Sequence, residues 1–257
     1  HPGQRRSAAN LRRLLAGSPL VAAHDDVTHG VQDAYSLRCH PQVIGAARDT
    51  LDFATGVAER ELASAIDNPV ILPDGRVESV GNFHGQPLAF ACDFLAIAAA
   101  EVGAIAVARI DRLLDRGRSR GLPPFLSTAP GVNSGLMIAQ YTAAAIVAEN
   151  RRLAHPASTD SMATSAMQED HVSLGWASAR NLRQVLENVA KIVAVETLCA
   201  GHAIDLRAPL VAGEGSRVVI DLLRDAIPGP GADHYLAPDL AAAERMVVEG
   251  QILASAE

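Results

Sequence analysis

PLAFACDFLAIAAAEVGAIAVARIDRLLDR, residues 87 to 116, decides the fold. Its acids and base at Asp93, Glu101 and Arg109 recur every eight residues, so polar groups touch little of the circumference and apolar side chains fill the rest. A helix apolar nearly all round belongs at the centre of a bundle, where neighbours cover every face. Its most apolar window, Leu88 to Ala108, is interrupted by Asp93 and Glu101, which reads as a buried helix and not a membrane span.

The text on either side agrees with a bundle. Residues 7 to 16 place Leu11, Leu14 and Leu15 at helical spacing, and Gly17-Ser18-Pro19 ends that run. Helical segments follow around Pro41. DNPVILPDGRVES, with β-branched residues flanking Pro73-Asp74-Gly75, predicts one short peripheral hairpin. After the central helix, RGRSRGLPPFLSTAPGV must be a loop. Helical patterning resumes from Ser134 to about Leu153, and again after His171 as far as about Ala203, with Arg180, Arg183, Glu187 and Lys191 as a polar stripe. A Pro/Gly break, IPGPGADHYLAPD, precedes a last amphipathic helix from about Asp239 to Ala254. The expectation is an all-α, long-helix bundle forming a single helical region over residues 1–257.

Composition narrows the function. The chain is 49% hydrophobic but 4% aromatic, an Ala-, Leu- and Val-rich mixture that suits closely approaching helices. A formal net charge of −7 argues against nucleic acid, which requires a basic excess to displace counterions. The Arg5, Arg6, Arg12, Arg13 cluster and the Arg109, Arg112, Arg116, Arg118, Arg120 cluster read as solvated or subunit-contact faces. Three scattered cysteines, Cys39, Cys92 and Cys199, with no CxxC pairing, suggest free thiols and a reducing cytoplasm. No charged-then-apolar leader opens the chain, and a first residue of His1 is expected of a processed, truncated or partial polypeptide.

Several constellations could carry chemistry. In VQDAYSLRC, Gln32, Tyr35 and Arg38 are three apart and would share one helical flank: a guanidinium for a carboxylate, with an amide and a phenol beside it. The alternative is a partly exposed polar face. GNFHGQP sets Phe83 and His84 between glycines just before the central helix, either near a ligand or in a plain tight turn. HDDVTHG, with His24, Asp25, Asp26 and His29, invites a metal, but fits neither HExxH nor a Cys/His pattern; no metal is expected. Ser134 and His155 could pair as nucleophile and base, yet there is no GxSxG elbow, and Ser134 suits a helix N-cap. AMQEDHV, residues 166 to 172, gathers Gln168, Glu169, Asp170 and His171. Partial burial would raise the pKa of Glu169 toward proton transfer, while the competing reading is acids facing the positive end of a helix dipole.

Taken together, VQDAYSLRCHPQV, DNPV, GNFHGQPLAFACDFLAIAAAEVG, GLPPFL, GVNSGLMIAQYTAAAIVAEN, LAHPASTDS and QEDHVSLG resemble, in order and spacing, the C-terminal half of the histidine ammonia-lyases, a branch of the aromatic amino-acid lyases. The resemblance implies a helical fold of the fumarase/aspartase type, a homotetramer, and elimination of ammonia from L-histidine to give urocanate. It implies a methylidene-imidazolone cofactor cyclised from an internal Ala-Ser-Gly. No Ala-Ser-Gly occurs in the 257 residues, and Asn133-Ser134-Gly135 belongs to the separate GVNSG motif, so the electrophile-bearing N-terminal half is expected outside this chain, which would then be inactive alone. By the same resemblance, Arg38 binds the substrate carboxylate, Tyr35 lies beside the electrophile, Gln32 supports that pocket, Phe83 packs against the electrophile or the ring, and Glu169 faces the amino group or imidazole. Such sites combine segments of several subunits. Two departures stand out: Met167 precedes QEDH where the family usually has Asn, and FHGQP replaces FHAEP or similar. Tyrosine or phenylalanine lyase or 2,3-aminomutase activity is the nearest alternative, and a non-catalytic helical assembly module the more distant one.

Overall fold

The computed structural model describes residues 1–23 and 32–256. Ten α-helices follow in order: α1 (Pro2–Leu15), α2 (Pro19–Ala22), α3 (Tyr35–Arg38), α4 (His40–Leu62), α5 (Gln86–Leu114), α6 (Met137–Leu153), α7 (Gly175–Asp205), α8 (Glu214–Ala226), α9 (Ala237–Val248) and α10 (Gln251–Ala256). Two-residue strands β1 (Val70–Ile71) and β2 (Val77–Glu78) pair antiparallel as the expected hairpin. The chain is therefore an all-α bundle with a small peripheral ribbon.

The central helix α5 is flanked by α4, α6 and α7. Its partners fix their directions: His40 of α4 meets Arg109, while Phe53 meets Phe94, so α4 runs antiparallel. Gln140 of α6 donates to Asp111, whereas Asn150 lies near Gly103, so α6 is antiparallel too. α7 is parallel, with Gly175 near Ala89, Ile192 against Gly103, and Glu196 on Arg109. Gly103 permits this last approach, because an added Cβ would lie 3.0 Å from the Ile192 side chain. At the other flank Gly3 and Gly45 bring α1 onto α4 so closely that a Cβ on Gly45 would sit 2.4 Å from the Gln4 amide nitrogen.

The core is lopsided. Ile110, Leu114, Leu126, Leu136, Ile192, Leu198 and Leu223 are almost wholly buried where α5, α6 and α7 meet α8 and α9. Each such side chain contributes about 1.5–3 kcal/mol relative to exposure, so this end anchors the fold. Around the first half of α5 the second cluster consists only of Ala54, Val57 and Ala91, with Leu95 against them.

Four expectations need correction. α5 is not buried all round: Leu88, Phe90, Phe94 and Ile97 are exposed, because no element among the described residues covers that flank. It remains long and apolar enough to cross a membrane by length and composition, yet Asp93 is buried in it as an acceptor from the Ser158 amide. α1 begins at Pro2 and not near Ser7, since Pro at the first helical turn sacrifices only an unused N–H. The last helix breaks at Gly250, whose φ of +72° lies outside helical space, giving α9 and α10; α8 was not anticipated. Lastly, Ser134 does not cap α6, which starts at Met137 after Leu136.

Candidate active site

Gln32, Tyr35 and Arg38 do gather, though by a different route from one helical flank. Only Tyr35 and Arg38 lie on a helix, the single-turn α3; Gln32 precedes it and accepts from Arg38 Nη1 through its Oε1. The Arg38 guanidinium carbon lies 5.9 Å from the Tyr35 ring centroid, close enough for cation–π attraction of about 0.5–1 kcal/mol at an exposed site. Tyr35 is 73% exposed. A solvent-facing guanidinium with an amide and a phenol beside it is fit to receive a carboxylate.

Arg109 ties this short helix to the bundle. Its Nε and Nη2 engage both oxygens of Glu196 on α7, the latter at 3.0 Å, while Nη1 donates to the Ser36 carbonyl at 3.3 Å and reaches His40 Nδ1 at 3.3 Å. Burial, then the Arg109 and Arg48 charges, push the His40 pKa down, which keeps its ring neutral and able to accept. Nearby, Arg120 pairs with Asp33 at 2.8 Å, and Arg118 with Asp111 and Asp115. These arginines, expected on a solvated or subunit-contact face, are largely spent on ion pairs within the chain.

Phe83 and Glu169 lie at the other end of α5. Phe83 sits in a 3₁₀ turn, Asn82–His84, just before α5 and is 58% exposed. The neighbouring His84 ring stacks on His171 at 5.6 Å between centroids, which brings this loop to the QEDH segment. Glu169 is exposed, and its side chain accepts from Thr164 Oγ1 at 2.6 Å. The hydroxyls of Thr164 and then Ser165 hold its carboxyl below the usual carboxylate range. This corrects the expectation of a pKa raised by burial. The helix-dipole alternative also fails, because α7 starts only at Gly175 and carries no acid in its first turn.

The structure thus brings Gln32, Tyr35 and Arg38 together, and the loop of Phe83 to the segment of Glu169 through His84 and His171, but does not join the two groups. Arg109 and Gln86 mark the two ends, separated along α5 by roughly 35 Å at helical rise. Ser134 and His155 flank opposite ends of α6, roughly 25 Å apart, so they form no dyad. The His24, Asp25, Asp26 and His29 stretch lies outside the described residues; among those described, no group of three His, Cys, Asp or Glu could hold a metal. Cys39, Cys92 and Cys199 are free thiols.

An aromatic amino acid lyase family model matches residues 1–225. The chain belongs to the aromatic amino acid lyase family. It is 60% identical over its whole length to histidine ammonia-lyase of Streptomyces avermitilis, covering 50% of that protein. Among solved structures, histidine ammonia-lyase from Trypanosoma cruzi superposes with a TM-score of 0.91 at 43% identity, over 100% of this chain and 48% of that one. A tyrosine aminomutase from Streptomyces globisporus gives 0.92 at 40% identity, over 99% and 52%. The chain spans about half the length of the curated relatives it matches.

Two contacts at these candidate residues escaped the sequence reading. Arg109 was legible as a polar interruption of an apolar helix and as part of an arginine cluster, yet it holds the Tyr35–Arg38 helix in place. Thr164 carried no signal, since its pairing with Glu169 depends on a left-handed turn over Ser165, Ala166 and Met167.

Proposed function

We propose that this chain is the C-terminal portion of a histidine ammonia-lyase that converts L-histidine to urocanate and ammonia in the cytoplasm, as part of histidine breakdown, when assembled as a homotetramer. The observation carrying this reading is 60% identity over the whole chain to a histidine ammonia-lyase, together with the QEDH text at Gln168–His171. In the elimination, the Cβ–H proton is removed, the Cα–N bond breaks, a Cα–Cβ double bond forms, and the amino group departs as ammonia.

The roles divide by position. Arg38 takes the substrate carboxylate, steadied by Gln32, and Tyr35 offers its phenol beside the reacting carbons. Phe83 supplies an aromatic wall, and Glu169 an ionised carboxylate for the amino group or imidazole. Methylidene-imidazolone, formed from an Ala-Ser-Gly absent from these 257 residues, would supply the electrophile that activates the amino group for departure. Tyr35 and Phe83 suit neighbours of such a group, because both turn aromatic surface outward and not into this chain's own core. With the two sets of residues at opposite ends of α5, a complete site draws on more than one chain. The exposed Phe53, Phe90, Phe94 and Ile97 favour such an assembly.

A second reading, an aminomutase or lyase acting on tyrosine or phenylalanine, is favoured by the tyrosine aminomutase likeness and by Met167 in place of the usual Asn. Assaying the complete enzyme with histidine, tyrosine and phenylalanine separates them. Urocanate from histidine supports the first reading, and cinnamate- or β-amino-acid-type products without urocanate support the second. Glu169→Gln in that enzyme should lower kcat at least about a hundredfold, the loss expected for a positioned acid/base or charge-binding group.

A further inference from the structure

The turn leading into Glu169 is built from residues that resist its conformation. Ser165, Ala166 and Met167 have φ of 51°, 53° and 70°, a left-handed run with no glycine among them. Such conformations persist only where the surroundings over-determine them. Here the fasteners are local. Thr164 N donates to the Glu169 carbonyl at 2.9 Å, Met167 N to the Thr164 carbonyl at 3.0 Å, and Gln168 N to the Ser165 carbonyl at 3.1 Å. Thr164 and Glu169 form an isolated antiparallel bridge, and the same threonine also donates its hydroxyl to Glu169 Oε2 at 2.6 Å. One residue therefore fixes both the backbone and the carboxylate of Glu169. Neither Thr164 nor Glu169 is buried, so this geometry is not a by-product of core packing.

We propose that Thr164 is a positioning residue, whose hydroxyl and amide together hold the Glu169 carboxylate in one orientation as an acceptor for a cationic group of the amino-acid substrate. The inference rests on the reading of Glu169 given above and sharpens it. A carboxylate already receiving a hydroxyl hydrogen bond is a weaker base and a better fixed anion, so Glu169 acts by binding positive charge and not by carrying the β-proton away. The lowered carboxyl pKa agrees with this. Ionisable groups beside it include Asp170 and His171 on the same segment, and His84, stacked on His171 from the loop before α5.

The test compares Thr164→Val, Thr164→Ser and Glu169→Gln in the complete enzyme, reading kcat/KM against pH. Thr164→Val keeps the shape and removes the hydroxyl. It should lower kcat/KM about tenfold or more, the scale of a hydrogen bond to a charged group, and move the acid limb of the profile to higher pH. Thr164→Ser should restore both rate and limb. If Glu169→Gln is crippled while Thr164→Val matches the parent, the positioning role is wrong and the role of Glu169 stands. If Thr164→Val and Thr164→Ser are equally slow with an unmoved acid limb, Thr164 is merely structural and the proposal is overturned. If Glu169→Gln keeps a near-normal rate, the underlying reading of Glu169 fails, and this inference fails with it.

Discussion

Glu169 and Arg38 are exposed charged residues that this chain does not bury, and the chain spends fastening contacts on each: Thr164 on Glu169, Gln32 and the Tyr35 ring on Arg38. The loop between α5 and α6 shows the reverse case, where conformation alone is decisive. Gly135 has φ of +57°, and a Cβ there would lie 2.5 Å from the Phe125 carbonyl oxygen. Gly135→Ala should destabilise the fold by about 1–3 kcal/mol, seen as a lower urea midpoint with an unchanged slope. At this scale legibility was uneven. The carboxylate of Glu169 stood out because four polar residues sit together in apolar text, and Arg38 because of its spacing from Tyr35. The lowered pKa of Glu169 was not legible, since it depends on a hydroxyl five residues away brought round by a left-handed turn that no glycine announces.

Among elements, α3 matters out of proportion to its single turn. It is held by Arg109, whose pairing with Glu196 is mostly buried at 16% and 20% side-chain exposure. Arg109→Leu leaves Glu196 with no guanidinium and should cost about 2–3 kcal/mol, discounted for that residual exposure. The double variant Arg109→Leu with Glu196→Leu should recover much of this in thermal melts, while α3 still loses its tether at the Ser36 carbonyl. The tail is fastened differently. Asp233 accepts from the Ser134 and Gly135 amides at 2.6 and 2.9 Å, which hold its carboxyl below its ordinary 3.8. A depressed carboxyl contributes stability that is present above its unfolded pKa and lost as pH falls through the folded value. The unfolding midpoint should therefore drop more steeply below about pH 4 in the parent than in Asp233→Asn. His234 works in the opposite sense: Asp239, then the Ala232 carbonyl, raise its pKa, so its contribution is full below 6.5 and fades as pH rises through the raised value. Long helices and the hairpin were readable from apolar spacing and from Pro-Asp-Gly. The tail clasp was not, because it joins residues about a hundred positions apart.

For the whole molecule, the decisive property is an apolar flank left open among the described residues. The flank of α4 and α5 carries Phe53, Phe90, Phe94 and Ile97 in the open, with Phe53, Phe94 and Phe90 in contact along it. The chain by itself should self-associate, so sedimentation should return a mass well above 26.9 kDa. A monodisperse monomer would show that this face is tolerated in water. Sequence made the bundle legible but overstated its closure, because periodicity reports that a helix face is apolar without reporting which chain covers it. For the same reason Arg38 and Glu169 stood out as candidates in the sequence, while spacing alone did not place them at opposite ends of α5.

Complementation between chains probes whether the two ends of α5 serve one site. Arg38→Leu and Glu169→Gln each leave one end of α5 intact. Produced separately in the complete enzyme, each should be nearly inactive on histidine. Co-assembled, they should regain urocanate formation, with about one site in four restored if symmetric subunits pair at random, because an intact end from one chain meets an intact end from another. No recovery, in assemblies shown by mass spectrometry to contain both variants, would contradict a site shared between chains.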